Sequence, residues 1–202
     1  MKEPPSPEEI ESAAAELNVL SAFVEKDWYA IQLLRIIAKL NLPNTKIIFS
    51  GGTSLSKGYA LIQRFSEDMD FLISPDSTPT RAERKDLLKG IGKSITSSKY
   101  FEISDDCIMP ADGYNSCSFQ INYTQQIKHP SLRPYLQLDL KYRITDIQCM
   151  NCQIRSIIDT LKQQQADLRM DCVTPIEIAA DKFCAIIWRV MIKDRTQERG
   201  TK

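Results

Sequence analysis

Two aspartates separated by a single residue, Asp68 and Asp70, are the part of this 202-residue sequence best suited to chemistry. They begin the stretch DMDFLIS, in which polar and apolar residues alternate as in a β-strand. Side chains two residues apart on a strand point to the same side, roughly 6.5 Å apart along the backbone. Two carboxylates so placed repel each other unless a cation neutralises them, and oxygen ligands suit Mg²⁺. The pair indicates either a divalent-cation site or two solvated acids on an edge strand.

A third acidic residue, Asp139, stands in YLQLDLKY, which also alternates and predicts a half-buried strand. A carboxylate in the middle of such a strand needs a partner, because burial of an unpaired charge is costly. A metal ion shared with Asp68 and Asp70 would be one such partner. The alternative is an ion pair with Lys141, which lies on the same face of the predicted strand.

A glycine turn separates the apolar run KIIF from a predicted helix, TSLSKGYALIQ. Gly51 and Gly52 carry no Cβ atoms, so a ligand can approach the backbone closely there. The first N–H groups of a helix have no partner within it and favour an anion such as phosphate. Further donors follow directly: Thr53, Ser54, Ser56 and Lys57. Because Lys57 and Gly58 stand in the reverse of the P-loop order, the turn alone indicates either a phosphate site or a plain strand-to-helix connection.

The elements that position these residues follow from periodicity and capping signals. Helices are predicted from Ser6, which opens a capping box with Glu9, to about Leu20, and over VEKDWYAIQLLRIIAKL, TSLSKGYALIQ, TRAERKDLLKGIGKSI and TPIEIAADKFCAIIWRVMIK. Strands are predicted over KIIF, DMDFLIS, residues 100–109, CSFQINYT, YLQLDLKY and QCMNCQIRSII. Trp28 and Trp188 occupy apolar helical positions and are expected in the core.

This order of elements predicts an α+β fold in which helices flank a mixed β-sheet. We expect an N-terminal helical segment over residues 1–45, a core over residues 46–160 and a C-terminal helical segment over residues 161–202. The length suits one sizeable domain.

The bulk composition narrows the function only slightly. Lysine plus arginine total 26, as do aspartate plus glutamate, so the net charge of zero gives no argument for nucleic-acid binding. A basic stripe on the predicted helix TRAERKDLLKGIGKSI would suit an RNA backbone, with a solvated helix face as the alternative. Its members are Arg81, Arg84, Lys85, Lys89 and Lys93.

Apolar runs and cysteine spacing predict the location of the protein and the redox state of its cysteines. No apolar run approaches the roughly 20 residues of a membrane helix, and MKEPPSPEE has no signal-peptide core, so a soluble cytoplasmic protein without membrane contact is expected. The six cysteines, including the C-x-x-C of Cys149 and Cys152, are expected to be free thiols rather than zinc ligands or disulfides.

A glycine pair after a strand, then Asp-x-Asp on a second strand and a later strand aspartate, resembles the DNA polymerase β-like nucleotidyltransferase superfamily. Within it, GGTSLSKGY followed by RFSEDMDF is similar to the AbiEii/AbiGii toxin family. VEKDWYAIQLL resembles that family's N-terminal helix, and PIEIAADKFCAIIWR its C-terminal lysine motif. The resemblance spans roughly residues 24 to 190 and implies a nucleotidyltransferase fold.

The resemblance also implies roles for individual residues. Asp68, Asp70 and Asp139 would bind the metal, and Asp139 would take the proton from the attacking hydroxyl. Lys182 would reach the triphosphate. The phosphates would be held by the turn and the start of its helix, at Gly51, Gly52, Thr53, Ser54 and Lys57, with Lys57 either assisting or supporting the turn. Arg64 and Ser66 would shape the entry to the aspartate strand. Family members usually continue to an Arg-Asp…Asp motif, whereas KDRTQERGTK implies a shortened segment with Asp194 as the candidate acid.

The activity implied by the resemblance is transfer of NMP from an NTP to an acceptor hydroxyl with Mg²⁺ or Mn²⁺. The acceptor would be RNA, with the tRNA 3′ end as candidate, and the protein would be the toxin of a toxin–antitoxin or abortive-infection system with a protein antitoxin. The alternative is a catalytically degenerate module of the same fold that binds nucleotide or a partner protein.

Overall fold

The computed structural model describes residues 3–62, 67–144 and 146–192 of the chain. The helices are α1 (Pro7–Leu17), α2 (Ser21–Ala38), α3 (Gly51–Lys57), α4 (Arg81–Thr96), α5 (Ile157–Leu161) and α6 (Pro175–Ile187). The strands are β1 (Thr45–Ser50), β2 (Asp68–Pro75), β3 (Ile108–Ala111), β4 (Ser116–Asn122), β5 (Tyr135–Tyr142), β6 (Cys149–Ile154) and β7 (Leu168–Val173). None of the helices within these ranges is long and apolar enough to span a bilayer.

The seven strands form one mixed sheet in the order β3-β4-β5-β2-β1-β7-β6. β2 lies near its centre, antiparallel to β1 and parallel to β5. Met69, Phe71 and Ile73 of β2 face the core and are almost completely buried. Asp68 and Asp70 alternate with them and face the other side of the sheet. The α+β prediction is confirmed.

Several predicted boundaries need correction. α1 ends at Leu17 rather than near Leu20, because Asn18 adopts a left-handed conformation with φ 54° and caps the helix. Residues 100–109 are mostly not strand. Asp105–Cys107 form a 3₁₀ turn there, and β3 begins only at Ile108.

The C-terminal half contains elements that the sequence patterns did not predict. α5 begins after Ser156, whose hydroxyl accepts from the N–H of Asp159, and β7 follows it. Trp28 is buried, as predicted, with 5% of its surface exposed. Trp188 is 49% exposed, so its assignment to the core is wrong. It stands where α6 gives way to a π-helical turn, on an apolar stretch that packs little against the sheet.

Three consecutive charged residues of α2, Glu25, Lys26 and Asp27, are each no more than 1% exposed. Glu25 accepts two backbone N–H bonds from the β4–β5 connection, at 2.7 and 3.0 Å. Lys26 pairs with Glu67, just before β2. Asp27 pairs with Lys57 of α3 and accepts the N–H of Ile157 at 2.7 Å. These pairs fasten α2 to the segments that surround the aspartates, because an unpaired charge at this depth would be costly.

Candidate active site

The register of the sheet brings the predicted aspartates together. β2 and β5 run parallel, and Asp70 lies directly opposite Asp139. Directly paired residues share a face of the sheet, and Asp68 lies on that same face two residues before Asp70. The carboxylates therefore stand side by side on two neighbouring central strands, and the solvated edge-strand alternative does not describe them.

The carboxylate of Asp70 packs against the glycine turn. A Cβ atom added to Gly51 would lie 2.0 Å from Oδ2 of Asp70, and Gly51 has φ +72°, which side chains rarely adopt. Burial raises the pKa of the Asp70 carboxyl above its ordinary value, as do the charges of Asp139 and Asp68, while the ammonium group of Lys182 opposes the shift. The close approach of the Asp70 carboxylate therefore requires glycine at position 51, independently of any ligand at the turn.

Asp139 is held by neutral donors from its own sheet. Ser118, opposite it on β4, donates its hydroxyl to Oδ1. The side-chain amide of Gln137 donates to both oxygens, at 3.2 and 3.0 Å. These bonds fix the orientation of the carboxylate without adding a positive charge beside it.

Asp68 has a cationic partner. Nη2 of Arg133, in the β4–β5 connection, donates to Oδ1 of Asp68 at 2.7 Å. In the described ranges, no three His, Cys, Asp or Glu side chains are grouped so as to hold a metal ion. The donor set itself fits a hard dication, because Asp70 and Asp139 stand opposite each other and supply only oxygen. Burial first, and then the charges of Asp139 and Asp68, raise the pKa of Asp70.

The hydroxyls of the turn are used within the protein. Thr53 donates to the carbonyl of Asp68, and Ser54 donates to the carbonyl of Gly51 at 2.9 Å. Thr53 and Ser54 are also buried. Lys57 pairs with Asp27 rather than lining the cleft. These contacts give the three side chains a supporting role in the turn, and Gly51 is the member of the predicted phosphate set that borders the open cleft.

A cleft of 580 Å³ lies over this face of the sheet, with α6 along one side. Asp70 and Asp139 line it together with Lys182 of α6, so the structure brings together one predicted cation and two predicted carboxylates. Asp181, the neighbour of Lys182, also lines the cleft, and its Oδ1 lies 3.6 Å from Nη1 of Arg143. The other lining residues are Ser50, Gly51, Phe71, Leu72, Ser116, Cys117, Ser118, Gln137, Leu140, Lys141, Arg143, Val173, Glu177 and Ile178.

The basic stripe of α4 is partly committed to the protein. Arg84 donates to the carbonyls of Pro79 and Gly113, and Arg81 lies 5.5 Å from the ring centre of Tyr114. None of the stripe residues lines the cleft. These contacts favour the solvated-face alternative.

Sequence patterns missed Arg133, Gln137 and Ser118, which hold the carboxylates. The prolines that flank SLR in HPSLRP indicated only a loop. The signal that did exist was the run of three charges in the apolar helix α2, since buried charges require partners elsewhere in the fold. Arg64, Ser66 and Asp194 lie outside the described residues.

Known proteins resemble this chain at the levels of family and fold. A family model described as the nucleotidyl transferase AbiEii toxin of type IV toxin–antitoxin systems matches residues 32–201. No curated protein matches the chain. Among solved structures, MenT4, a nucleotidyltransferase toxin from Mycobacterium tuberculosis, superposes with a TM-score of 0.60 at 17% sequence identity. The match covers 90% of this chain and 59% of MenT4, so the chain spans about three-fifths of that structure and shares its fold.

Proposed function

The chain belongs to the AbiEii family of nucleotidyltransferase toxins, and on that premise we propose that it transfers NMP from an NTP to an acceptor hydroxyl. The observation that carries the proposal is the placement of Asp70 opposite Asp139 on parallel strands, beside Lys182 in one cleft. Carboxylates and a lysine in a cleft are what phosphoryl-transfer chemistry requires, since its catalysis consists mainly of positioning and charge stabilisation.

Each side chain has a defined task in this proposal. Asp139, oriented by Ser118 and Gln137, takes the proton from the attacking hydroxyl as its oxygen bonds to the α-phosphorus. The bond from that phosphorus to the bridging oxygen breaks, and pyrophosphate leaves. Lys182 offsets the charge of the triphosphate. The backbone at Gly51 and Gly52 approaches the phosphates, with Thr53, Ser54 and Lys57 supporting the turn.

Asp68, Asp70 and Asp139 would hold Mg²⁺ or Mn²⁺. A bound ion of this kind would neutralise phosphate charge and help to align the reacting groups. Asp70 is buried, and Asp139 and Asp68 stand beside it, so a cation bound at this position would offset the mutual repulsion of the carboxylates.

The acceptor and the biological setting come from the family alone. We propose RNA, with the tRNA 3′ end as first candidate, a toxic outcome in the cytoplasm and neutralisation by a protein antitoxin. The RNA proposal does not rest on the basic stripe of α4, in which Arg84 is bound to backbone carbonyls.

The test is transfer of label from α-labelled NTPs to total RNA with Mg²⁺. Wild type should label RNA, and Asp139→Asn should lose at least about 100-fold in rate because it removes the general base. Asp86→Asn, on the exposed face of α4, is the matched control and should retain full activity. Absence of labelling by folded wild type with every NTP, or full activity of Asp139→Asn, would overturn the proposal.

A second candidate is a module that binds nucleotide without turnover. The contact of Arg133 with Asp68 favours it, because a guanidinium already occupies one carboxylate of the set. Calorimetric NTP binding by a protein that transfers no label would support this candidate.

A further inference from the structure

Arg133 is an arginine of the β4–β5 connection that contacts a predicted metal-ligating carboxylate, Asp68. Its guanidinium donates to three acceptors at once: Asp68 Oδ1 at 2.7 Å, Glu67 Oε2 at 3.1 Å and the side-chain carbonyl of Gln137. A planar guanidinium with several fixed N–H groups suits such a set of oxygens. Glu67 and Asp68 lie at the start of β2 or directly before it, and Gln137, in the first half of β5, lines the cleft.

The same guanidinium is connected to a second carboxylate. Gln137 accepts from Arg133 through its carbonyl oxygen, and its amide nitrogen donates to Asp139 at 3.0 and 3.2 Å. One cation thus holds Asp68 directly and orients Asp139 through a neutral amide. Asp70 is the carboxylate outside this chain of contacts, and burial and its acidic neighbours raise the pKa of Asp70.

The backbone of Arg133 is anchored separately from its side chain. Its N–H donates to Glu67 at 3.1 Å, and its carbonyl accepts from the ammonium group of Lys26 at 2.8 Å. Burial alone would raise the pKa of Glu67, but the hydrogen bonds and charges of Lys26 and Arg133 lower it overall. Because these anchors engage the main chain, the loop should keep its place when the guanidinium is removed.

We propose that Arg133 is a resident counter-cation of the carboxylate site, a positioning residue that a divalent cation must displace or oppose in order to bind at Asp68. The proposal rests on the proposed function, since it takes the three aspartates as metal ligands. Arg133 and Asp68 have side chains that are 36% and 43% exposed, so the contact is open to exchange. Even if the ion used the other oxygen of Asp68, the neighbouring guanidinium would repel it.

In this arrangement the guanidinium would compete with other cations for Asp68, and a dication would bind there only at sufficient concentration. The guanidinium would then lose its contact with Asp68 while its main chain stays fixed by Glu67 and Lys26. Arg133 would set the affinity for metal without itself bonding to the reacting atoms.

The experiment is calorimetric titration of Mn²⁺ into the full chain without nucleotide, comparing wild type with Arg133→Met and Arg133→Lys. Arg133→Met removes the charge and keeps most of the side-chain volume, and it should bind Mn²⁺ about two- to fivefold more tightly, as loss of a half-exposed charge pair implies. Arg133→Lys keeps a cation and should stay near wild type. Arg35→Met is the control. Arg35 pairs with Asp167, directly before the N-terminal end of β7, whereas the C-terminal end of β7 borders the cleft, so the variant should leave the Mn²⁺ affinity unchanged.

The outcomes separate the two proposals. Equal or weaker Mn²⁺ binding by Arg133→Met would overturn the role of Arg133 and leave the transferase proposal standing if wild type labels RNA. Absence of Mn²⁺ binding by every variant, including Arg133→Met, would also overturn the role of Arg133, whereas the transferase proposal is decided separately by the labelling of RNA. In transfer assays, Arg133→Met should lower the Mn²⁺ concentration needed for half-maximal rate, a shift that a merely structural loss would not produce.

Discussion

Charged side chains occur in two parts of this molecule with opposite degrees of pairing. Along α2, Glu25, Lys26 and Asp27 are buried and each has a charged or hydrogen-bonding partner from a different segment. Across the cleft, Asp70 and Asp139 stand opposite each other on adjacent strands, and the pKa of Asp70 is raised by burial and by its acidic neighbours. The first group completes its own pairing, whereas the second has an excess of negative charge.

The difference separates structural charges from charges that await a ligand. Paired buried charges specify where loops and helices meet, and removing one partner is costly. Like charges held close together lower the free energy of unfolding unless a bound ligand offsets their repulsion. Such groups concentrate at functional sites. Lys57 and Lys182 show the same contrast, because the first pairs with Asp27 and the second lines the cleft.

The largest effect on stability is expected in the paired group. Asp27→Ala would leave Lys57 without its carboxylate and the N–H of Ile157 without an acceptor, and should lower the free energy of unfolding by about 3–5 kcal/mol. Urea unfolding measures it, with Glu11→Ala on the exposed face of α1 as the control. A loss below about 1 kcal/mol would mean that the charges of α2 are not held as the structure shows.

A smaller loss of stability is expected at the glycine turn, which lies between the paired charges of α2 and the carboxylates of the cleft. Gly51→Ala places a methyl group against the Asp70 carboxylate at positive φ and should lower stability by about 2 kcal/mol or more. Gly90→Ala on α4 meets no atom within 4 Å and should instead raise stability by about 0.5–1 kcal/mol. If both variants changed stability alike in thermal unfolding, the close approach of Asp70 to the turn would be refuted.

The alternating strands β2, β4 and β5 could be predicted because each buries one face and leaves the other polar. β7 was missed although LRMDCV alternates between apolar and polar residues up to Cys172, and α5 was missed because five residues are too few to show a helical period. The pairing of Asp70 with Asp139 depends on which strands are neighbours, and periodicity carries no information about that. Arg133 was missed for the same reason, because its two carboxylate partners, Asp68 and Glu67, are 65 and 66 residues away in sequence.

The central claim is that Asp70 and its acidic neighbours bind a divalent cation, and thermal unfolding of wild type and Asp70→Asn with and without Mg²⁺ tests it most directly. Because the pKa of Asp70 is raised in the folded state, its ionised form lowers stability at neutral pH, and that cost disappears as the pH falls below the ordinary carboxyl range. Without metal at pH 7, Asp70→Asn should therefore be the more stable protein. With Mg²⁺ at about 100 times its dissociation constant, wild type should gain about 2.7 kcal/mol and become the more stable of the two. The same order of stability under both conditions would contradict the account.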